Sequence, residues 1–360
     1  MSWKEQFTNM FTRIKFLFCL ALLLANWLKA SAQNDLYLPR EKSWIAKDFV
    51  FHTGDSIKEL KLAYTTLGDP RNPAVLVLHG TAGSAKKMLL PSFGGLLFKS
   101  GGVLDASRYF IILPDSIGAG QSSKPSDGLR MKFPQYNYDD MVEAQHLLVT
   151  QGLGIKHLRL VMGNSMGGMQ TWLWGIKYPK EMDGLVPMAS TPGPMSGRNW
   201  MLRRFITDAI KQDPGWLNGN YVEQPKSLKL ITTYFSIATS GGTLGLQDKG
   251  PSSDKADAYV DQLLEQPMKD DANDLIYQWS SSKDFDPSQN LQMIQAPVLA
   301  INAQDDERNP AQLGFMNQAG MQIKQFNLFL IPESKLTSGH GTTSQAKWIT
   351  QALDEWLKKL

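Results

Sequence analysis

Leu158-Arg159-Leu160-Val161-Met162-Gly163-Asn164-Ser165-Met166-Gly167-Gly168-Met169-Gln170 is the stretch on which the reading of the whole chain turns. Leu158 to Met162 is a short β-rich run of the kind found in buried strands. From Met169 to Ile176 the apolar residues recur at helical spacing. The pattern between them is G-x-S-x-G, a sharp strand-to-helix turn that lifts a serine hydroxyl out of the backbone. Such a turn is strained, and side chains two residues before and after the serine would obstruct it, so glycine is wanted at both places. Gly163 and Gly167 supply it, and Gly168 adds a third glycine where helix and sheet would approach closely. The string alone arises by chance in turns; the strand before it and the helix after it make Ser165 a candidate nucleophile.

Outward from this turn the alternation repeats. Val75 to Leu78, Phe110 to Leu113, Leu185 to Met188, Val298 to Ile301 and Leu328 to Ile331 are apolar runs bounded by Gly, Pro, Asp or Asn. Met141 to Leu148 has helical spacing, and a last segment from about Thr343 to Leu357 repeats Trp348, Leu353, Trp356 and Leu357 on one face. These features predict an α/β chain with a mostly parallel central sheet flanked by helices. The alternation breaks once, over about 192–290, where strand signals are sparse; an inserted helical lid is expected there. The 360 residues suit one large domain carrying such an insertion. Hydrophobic residues at 42% and charged residues at 20% are the profile of a globular chain.

A serine needs a base within hydrogen-bond reach to act as a nucleophile. The strand–turn–helix setting of Ser165 implies the α/β-hydrolase fold, in which an acid and then a histidine follow the nucleophile along the chain. The histidines are His52, His79, His146, His157 and His340, and His340 alone follows Ser165. It sits in Ser338-Gly339-His340-Gly341, after the last strand signal and before the final helix. The acid belongs after Val298 to Ile301, where Asp305 and Asp306 stand side by side. Asp306 has the four-residue spacing to Pro310 that this fold commonly shows, while Asp305 stays open. Its role would be to hold the histidine tautomer and steady the imidazolium. The backbone N–H groups of Thr81, after His79-Gly80, and of Met166 are the candidate oxyanion donors, with His79 structural beside them.

The N-terminal 32 residues read differently. Lys4, Arg13 and Lys15 precede an apolar run from Phe16 to Trp27, followed by Ala30-Ser31-Ala32. This is the pattern of a signal peptide cleaved before Gln33, which predicts an exported protein, periplasmic or secreted. The rival, an uncleaved anchor, needs roughly 20 apolar residues, more than the run supplies. Cys19 is the single cysteine and lies inside this segment, so the remainder offers neither a disulfide framework nor thiolate chemistry. The net charge of +3 also resides there. With no basic run, no aromatic–basic interleaving and no zinc spacing, nucleic acid and metal are not expected partners. The chemistry calls for no cofactor, and a small-molecule ester, lactone or acyl donor is the expected ligand. Oligomeric state stays open, a homodimer included. Gly241-Gly242-Thr243-Leu244-Gly245 matches a phosphate loop only loosely and reads as a lid turn. Arg198, Arg203 and Arg204 could meet a substrate carboxylate, although a solvated helix face is the plainer reading.

Asp140-Met141-Val142-Glu143-Ala144-Gln145, together with Gly163 to Gln170, Tyr178-Pro179 and Gly339-His340, resembles the homoserine O-acetyltransferase family. The resemblance implies a Ser-Asp-His site at Ser165, Asp306 and His340. It also has departures. The family places an aspartate implicated in homoserine recognition after its histidine, where this chain has Gly341. Asp115-Ser116-Ile117-Gly118-Ala119-Gly120-Gln121-Ser122 looks instead like the D-x-x-G-x-G-x-S stretch of ester and lactone hydrolases. An exported protein would also lack ready access to acetyl-CoA, the donor the family uses. Ester or lactone hydrolysis through an acyl-enzyme is therefore the expected activity, with O-acyl transfer as the alternative and a non-catalytic binding protein as the remote one.

Overall fold

The computed structural model describes residues 35–360, and the expected signal segment lies outside the described residues. An eight-stranded sheet runs in the order β1-β2-β4-β3-β5-β6-β7-β8. Its strands are β1 (Arg40–Val50), β2 (Ser56–Leu67), β3 (Ala74–Leu78), β4 (Phe110–Pro114), β5 (Leu160–Asn164), β6 (Leu185–Met188), β7 (Val298–Ala303) and β8 (Phe326–Ile331). From β4 to β8 every pairing is parallel, whereas β1 and β2 join antiparallel at one edge. The parallel strands β3 to β7 are buried along their whole lengths, as sheets covered on both faces must be. In β3 the period of two is direct: Leu76 and Leu78 enter one face's core, Val75 and Val77 the other's.

Sequence reading missed β1 and β2. β1 is mostly exposed and carries Arg40, Glu41, Lys42 and Lys47, the charged character by which edge strands discourage further pairing. Leu158, expected inside the strand before Ser165, instead makes an isolated bridge to Met182, and β5 begins at Leu160. The final helix is shorter than expected: two 3-10 turns, Gly339–Ser344 and Ala346–Trp348, precede the α-helix Thr350–Leu357.

Two helices flank the central strands on one face, α1 (Tyr138–Leu147) and α2 (Met166–Lys177). Asn137 and Asp140 cap α1 reciprocally, each side chain accepting the other's backbone N–H. Within this layer the fully buried Trp172 and Trp174 pack in a core that also holds Met141 and Leu148. Between β6 and β7 the chain forms α3 (Gly197–Gln212), α4 (Ser227–Thr239), α5 (Thr243–Lys249), α6 (Ser253–Glu265) and α7 (Ala272–Ser280). This insertion has its own core of Ile206, Ile210, Trp216, Leu228, Phe235, Leu275, Ile276 and Trp279.

Candidate active site

Ser165 stands at the junction of β5 and α2 with φ +58° and ψ −114°, outside the regions a serine ordinarily occupies. Its neighbours explain how the strain is held. A Cβ on Gly163 would overlap the Gly167 carbonyl, one on Gly167 the Leu78 carbonyl, and one on Gly168 the Met188 carbonyl and the Ser190 hydroxyl. The Ser165 N–H donates to the Met188 carbonyl at 2.9 Å, so the neighbouring strand anchors the turn. Cβ-bearing residues at these glycines would push the elbow off the sheet.

His340 reaches Ser165 from a different part of the chain. Its Nε2 lies 2.8 Å from Ser165 Oγ, and its Nδ1 lies 2.9 Å from both carboxylate oxygens of Asp306. A carboxylate can only accept, so Nδ1 carries the proton and Nε2 is left to accept from the serine hydroxyl. Asp306 further accepts from the Arg308 N–H at 2.9 Å, the Asn309 N–H at 3.1 Å and Asn309 Nδ2 at 3.0 Å. Burial alone would disfavour its charge, but the His340 ring and these donors outweigh burial and hold the carboxyl below its ordinary value. Burial also drives the His340 ring below its ordinary value, the charges of Arg308 and Arg203 acting with burial and Asp306 against it. His340 is therefore a neutral ring with a free lone pair toward Ser165 at neutral pH.

Asp305 is not brought to the ring. Its Oδ2 accepts from Thr337 Oγ1 at 2.7 Å and from the Gly339 N–H at 3.2 Å. Glu307 accepts the His340 N–H at 3.0 Å and the Gly242 N–H at 2.8 Å. Three consecutive acids thus divide the work: Asp306 holds the ring, while Asp305 and Glu307 hold the backbone of the histidine loop. Sequence reading did not single out Glu307 or Asn309; their signal was only adjacency to Asp306.

Thr81 and Ser165 line the same cavity, about 380 Å³, together with Gly80 and His340. A Cβ on Gly80 would sit 3.4 Å from Ser165 Cβ and 4.0 Å from its Oγ, so the Gly80–Thr81 turn passes directly beside the serine. Met166 is the first residue of α2, where a backbone N–H has no intrahelical acceptor and the helix dipole favours negative charge. His79 accepts the Ser116 N–H at 3.0 Å through Nε2 and donates from Nδ1 to the Gly80 carbonyl at 2.8 Å. Burial holds this ring below its ordinary value and hence neutral. The other three histidines pair with carboxylates: His52 with Asp140, His146 with Glu181 and His157 with Asp183.

Two of the segments that carried the resemblances, the Asp115 loop and Asp140–Gln145, serve as scaffold. Asp115 accepts the Ala85 N–H at 2.7 Å and the Gln121 N–H at 2.8 Å, fastening the loop to the helix after Thr81. Gln145 Nε2 donates to Gln170 at 2.8 Å and Glu143 accepts from the Tyr178 hydroxyl at 2.7 Å, so the matched residues of α1 and α2 hold each other. From the insertion, Gln278 accepts the Ala82 N–H at 2.8 Å and donates to the Gly118 carbonyl at 2.6 Å, clamping the Thr81 turn to the Asp115 loop. The Gly241–Gly245 segment docks on the histidine loop through the Gly241 N–H to the Ser338 carbonyl, 2.9 Å. Of the three arginines noted in the insertion, Arg204 is exposed and pairs with Asp208, Arg198 donates to the Glu307 carbonyl, and Arg203 is buried to 1% exposure. The solvated-face reading fails for Arg203. Among the described residues no cluster of metal-ligating side chains is present.

Comparison with known proteins agrees with this architecture. A probable acyltransferase of Methanothermobacter thermautotrophicus is 29% identical over 275 residues, 74% of this chain and 83% of that protein. A homoserine O-acetyltransferase of Geotalea uraniireducens is 35% identical over 192 residues, 48% of this chain and 51% of that protein, so the match spans about half of its length. An acetylester hydrolase from Corynebacterium glutamicum superposes with a TM-score of 0.76 at 22% identity, covering 89% of this chain and 96% of that one, a likeness of fold. The family model for the α/β-hydrolase fold matches residues 73–333, and the chain belongs to that family.

Proposed function

We propose that the protein is a serine hydrolase that cleaves a small carboxylic ester or lactone through an acyl-enzyme on Ser165. The observation that carries this reading is the unbroken hydrogen-bond chain from Ser165 Oγ through His340 to Asp306 at a strained strand-to-helix turn. Ser165 Oγ attacks the ester carbonyl while its proton passes to His340 Nε2. Asp306 steadies the resulting imidazolium without taking the proton. The N–H groups of Thr81 and Met166 meet the tetrahedral oxyanion. The imidazolium then returns its proton to the leaving alcohol, and water, activated by the same ring, releases the acid from Ser165. The α3–α7 insertion acts as the lid over this chemistry. No cofactor enters any step.

Acyl transfer shares the acyl-enzyme and differs only in using an alcohol in place of water. The names of the acyltransferase relatives favour it. Against transfer to homoserine stands the cavity itself: Gly341 lines it, and none of its lining residues is an Asp or Glu that could meet a substrate ammonium. The deciding experiment supplies p-nitrophenyl acetate with and without homoserine to residues 33–360 and to the Ser165→Ala variant. Ser165-dependent release of free acetate alone supports hydrolysis, O-acetylhomoserine accumulating at the expense of acetate supports transfer, and release independent of Ser165 rejects the site.

Export is part of the proposal and rests on the sequence pattern of residues 1–32. Among the described residues no helix is long and apolar enough to cross a membrane. A mature N-terminus at Gln33 in protein recovered outside the cytoplasm is the expected result; an intact Met1 in the cytoplasm rejects it.

A further inference from the structure

The charged residues lining the Ser165 cavity are Lys87 and Arg308, both cations. Arg308 is an unusual wall for a simple ester pocket. Its guanidinium lies against the Phe235 ring at 4.6 Å and the Trp279 ring at 5.8 Å, and Nε and Nη2 donate to Thr239 and Ser240 at the end of α4. Among the described residues Nη1 has no hydrogen-bond partner. Behind it, Arg203 stacks on the same Trp279 ring at 5.0 Å, donates to Asn199 and Ser282, and leaves a buried Nη2 without any partner. Among the described residues no carboxylate lies within ion-pair distance of either guanidinium. The acids nearest in sequence, Asp306 and Glu307, spend their oxygens on His340, on the Gly242 N–H and on their own turn.

Two cations with spare donors, Arg203 buried and Arg308 partly buried in the wall of the Ser165 cavity, stack on one aromatic ring at a desolvation cost that no carboxylate among the described residues offsets by direct pairing. An arginine fork returns it best to a planar oxyanion such as a carboxylate. We infer that the substrate is an ester carrying a carboxylate, held by Arg308 with Arg203 reinforcing the positive field, so that the enzyme prefers hemiesters to neutral esters. This rests on the hydrolase reading and deepens it by naming the substrate class. The carboxylate enters on the acyl side or on the alcohol side, and the chemistry that recognises it is the same.

Paired substrates test the inference in the native enzyme. Mono-p-nitrophenyl glutarate against its methyl ester places the charge on the acyl side; 4-carboxyphenyl acetate against 4-carbamoylphenyl acetate places it on the alcohol side. The charged member of at least one pair is expected to have a kcat/KM about tenfold or more higher, the scale of one charge-assisted hydrogen bond, with the preference shrinking as salt is added. Arg308→Met is expected to erase the preference and Arg308→Lys to restore part of it. Equal or better turnover of the neutral member in both pairs overturns the inference, as does a preference that survives Arg308→Met. Calorimetric binding of glutarate to Ser165→Ala, with and without Arg308→Met, reads the anion site without turnover. If no ester is cleaved through Ser165 but glutarate binds in an Arg308-dependent way, the hydrolase reading fails and the anion site stands; absence of that binding overturns the site itself.

Discussion

The elbow side of the molecule and the helical insertion are built to different standards. Around Ser165 the backbone is packed so closely that Gly163, Gly167 and Gly168 each have a carbonyl where a Cβ would go. The helices there are locked by paired polar groups such as Gln145 with Gln170. The insertion is looser. α6 buries no residue, Phe205 and Tyr234 are more than half exposed, and Arg203 keeps a buried nitrogen unpaired. The contrast teaches that the candidate reacting groups and most of the cavity wall sit on the tightly packed scaffold, while the insertion reaches the cavity lining only through Ser240. Gln278 and the Gly241–Gly242 turn are the seams by which the second region is registered on the first.

The sharpest break in that contrast is chemical. Ser165→Ala is expected to lower kcat on a reactive ester by about a millionfold, with the fold retained by circular dichroism; activity within tenfold of the parent would remove Ser165 from the reaction. Asp306→Asn follows, with a loss of about ten thousandfold, whereas Asp305→Asn, whose carboxylate meets the Thr337 hydroxyl and the Gly339 N–H and not the ring, should cost about tenfold or less. Steady-state kinetics on the two variants separates them, and equal losses would mean that both carboxylates serve the ring.

Packing comes next. Gly167→Ala forces a methyl into the Leu78 carbonyl and is expected to cost about 3 kcal/mol or more, read from the urea midpoint. A neutral result would show that the elbow yields more than its contacts suggest. The pH profile should follow from His340. Its folded value lies below the ordinary 6.5, so the base stays neutral and kcat/KM holds down to pH values under 6.5 before falling. The sign for stability is the same: as pH drops below 6.5 the unfolded chain protonates first, so the contribution present above 6.5 is lost on the acid side. An acid limb centred above 6.5 would contradict the buried, neutral ring. The smallest effect is expected in the insertion, where Val222 is 97% exposed and Val222→Ser should change stability by no more than about 0.5 kcal/mol.

Much of the architecture was legible because buried parallel strands leave continuous apolar runs and helices leave a 3.6-residue repeat. β3, β4, β6 and β7 lie where such runs stand, while the edge strand β1 escaped because it carries Lys and Glu in place of an apolar run, and β2, paired on both sides, because Lys58, Glu59 and Lys61 interrupt its apolar residues. Ser165 was legible from its glycines, since their spacing answers a local steric demand. His340 was legible by elimination, being the one histidine beyond Ser165. The choice between Asp305 and Asp306 rested on a four-residue spacing to a proline, a weak signal that takes no account of where either side chain points.

By itself, then, the sequence determined whatever depends on neighbours along the chain: strand and helix periods, the strained turn at Ser165, and the order in which acid and base must follow. Tertiary structure alone decided which groups meet across it. It set Asp306 rather than Asp305 against the ring, turned Glu307 to the His340 backbone, joined Gln278 to the Thr81 turn, and stacked Arg203 and Arg308 on one indole. The reason is physical: a hydrogen bond or a buried charge is defined by distance and desolvation in space, and residues separated by 34 positions, as Asp306 and His340 are, leave no trace of that distance in their spacing.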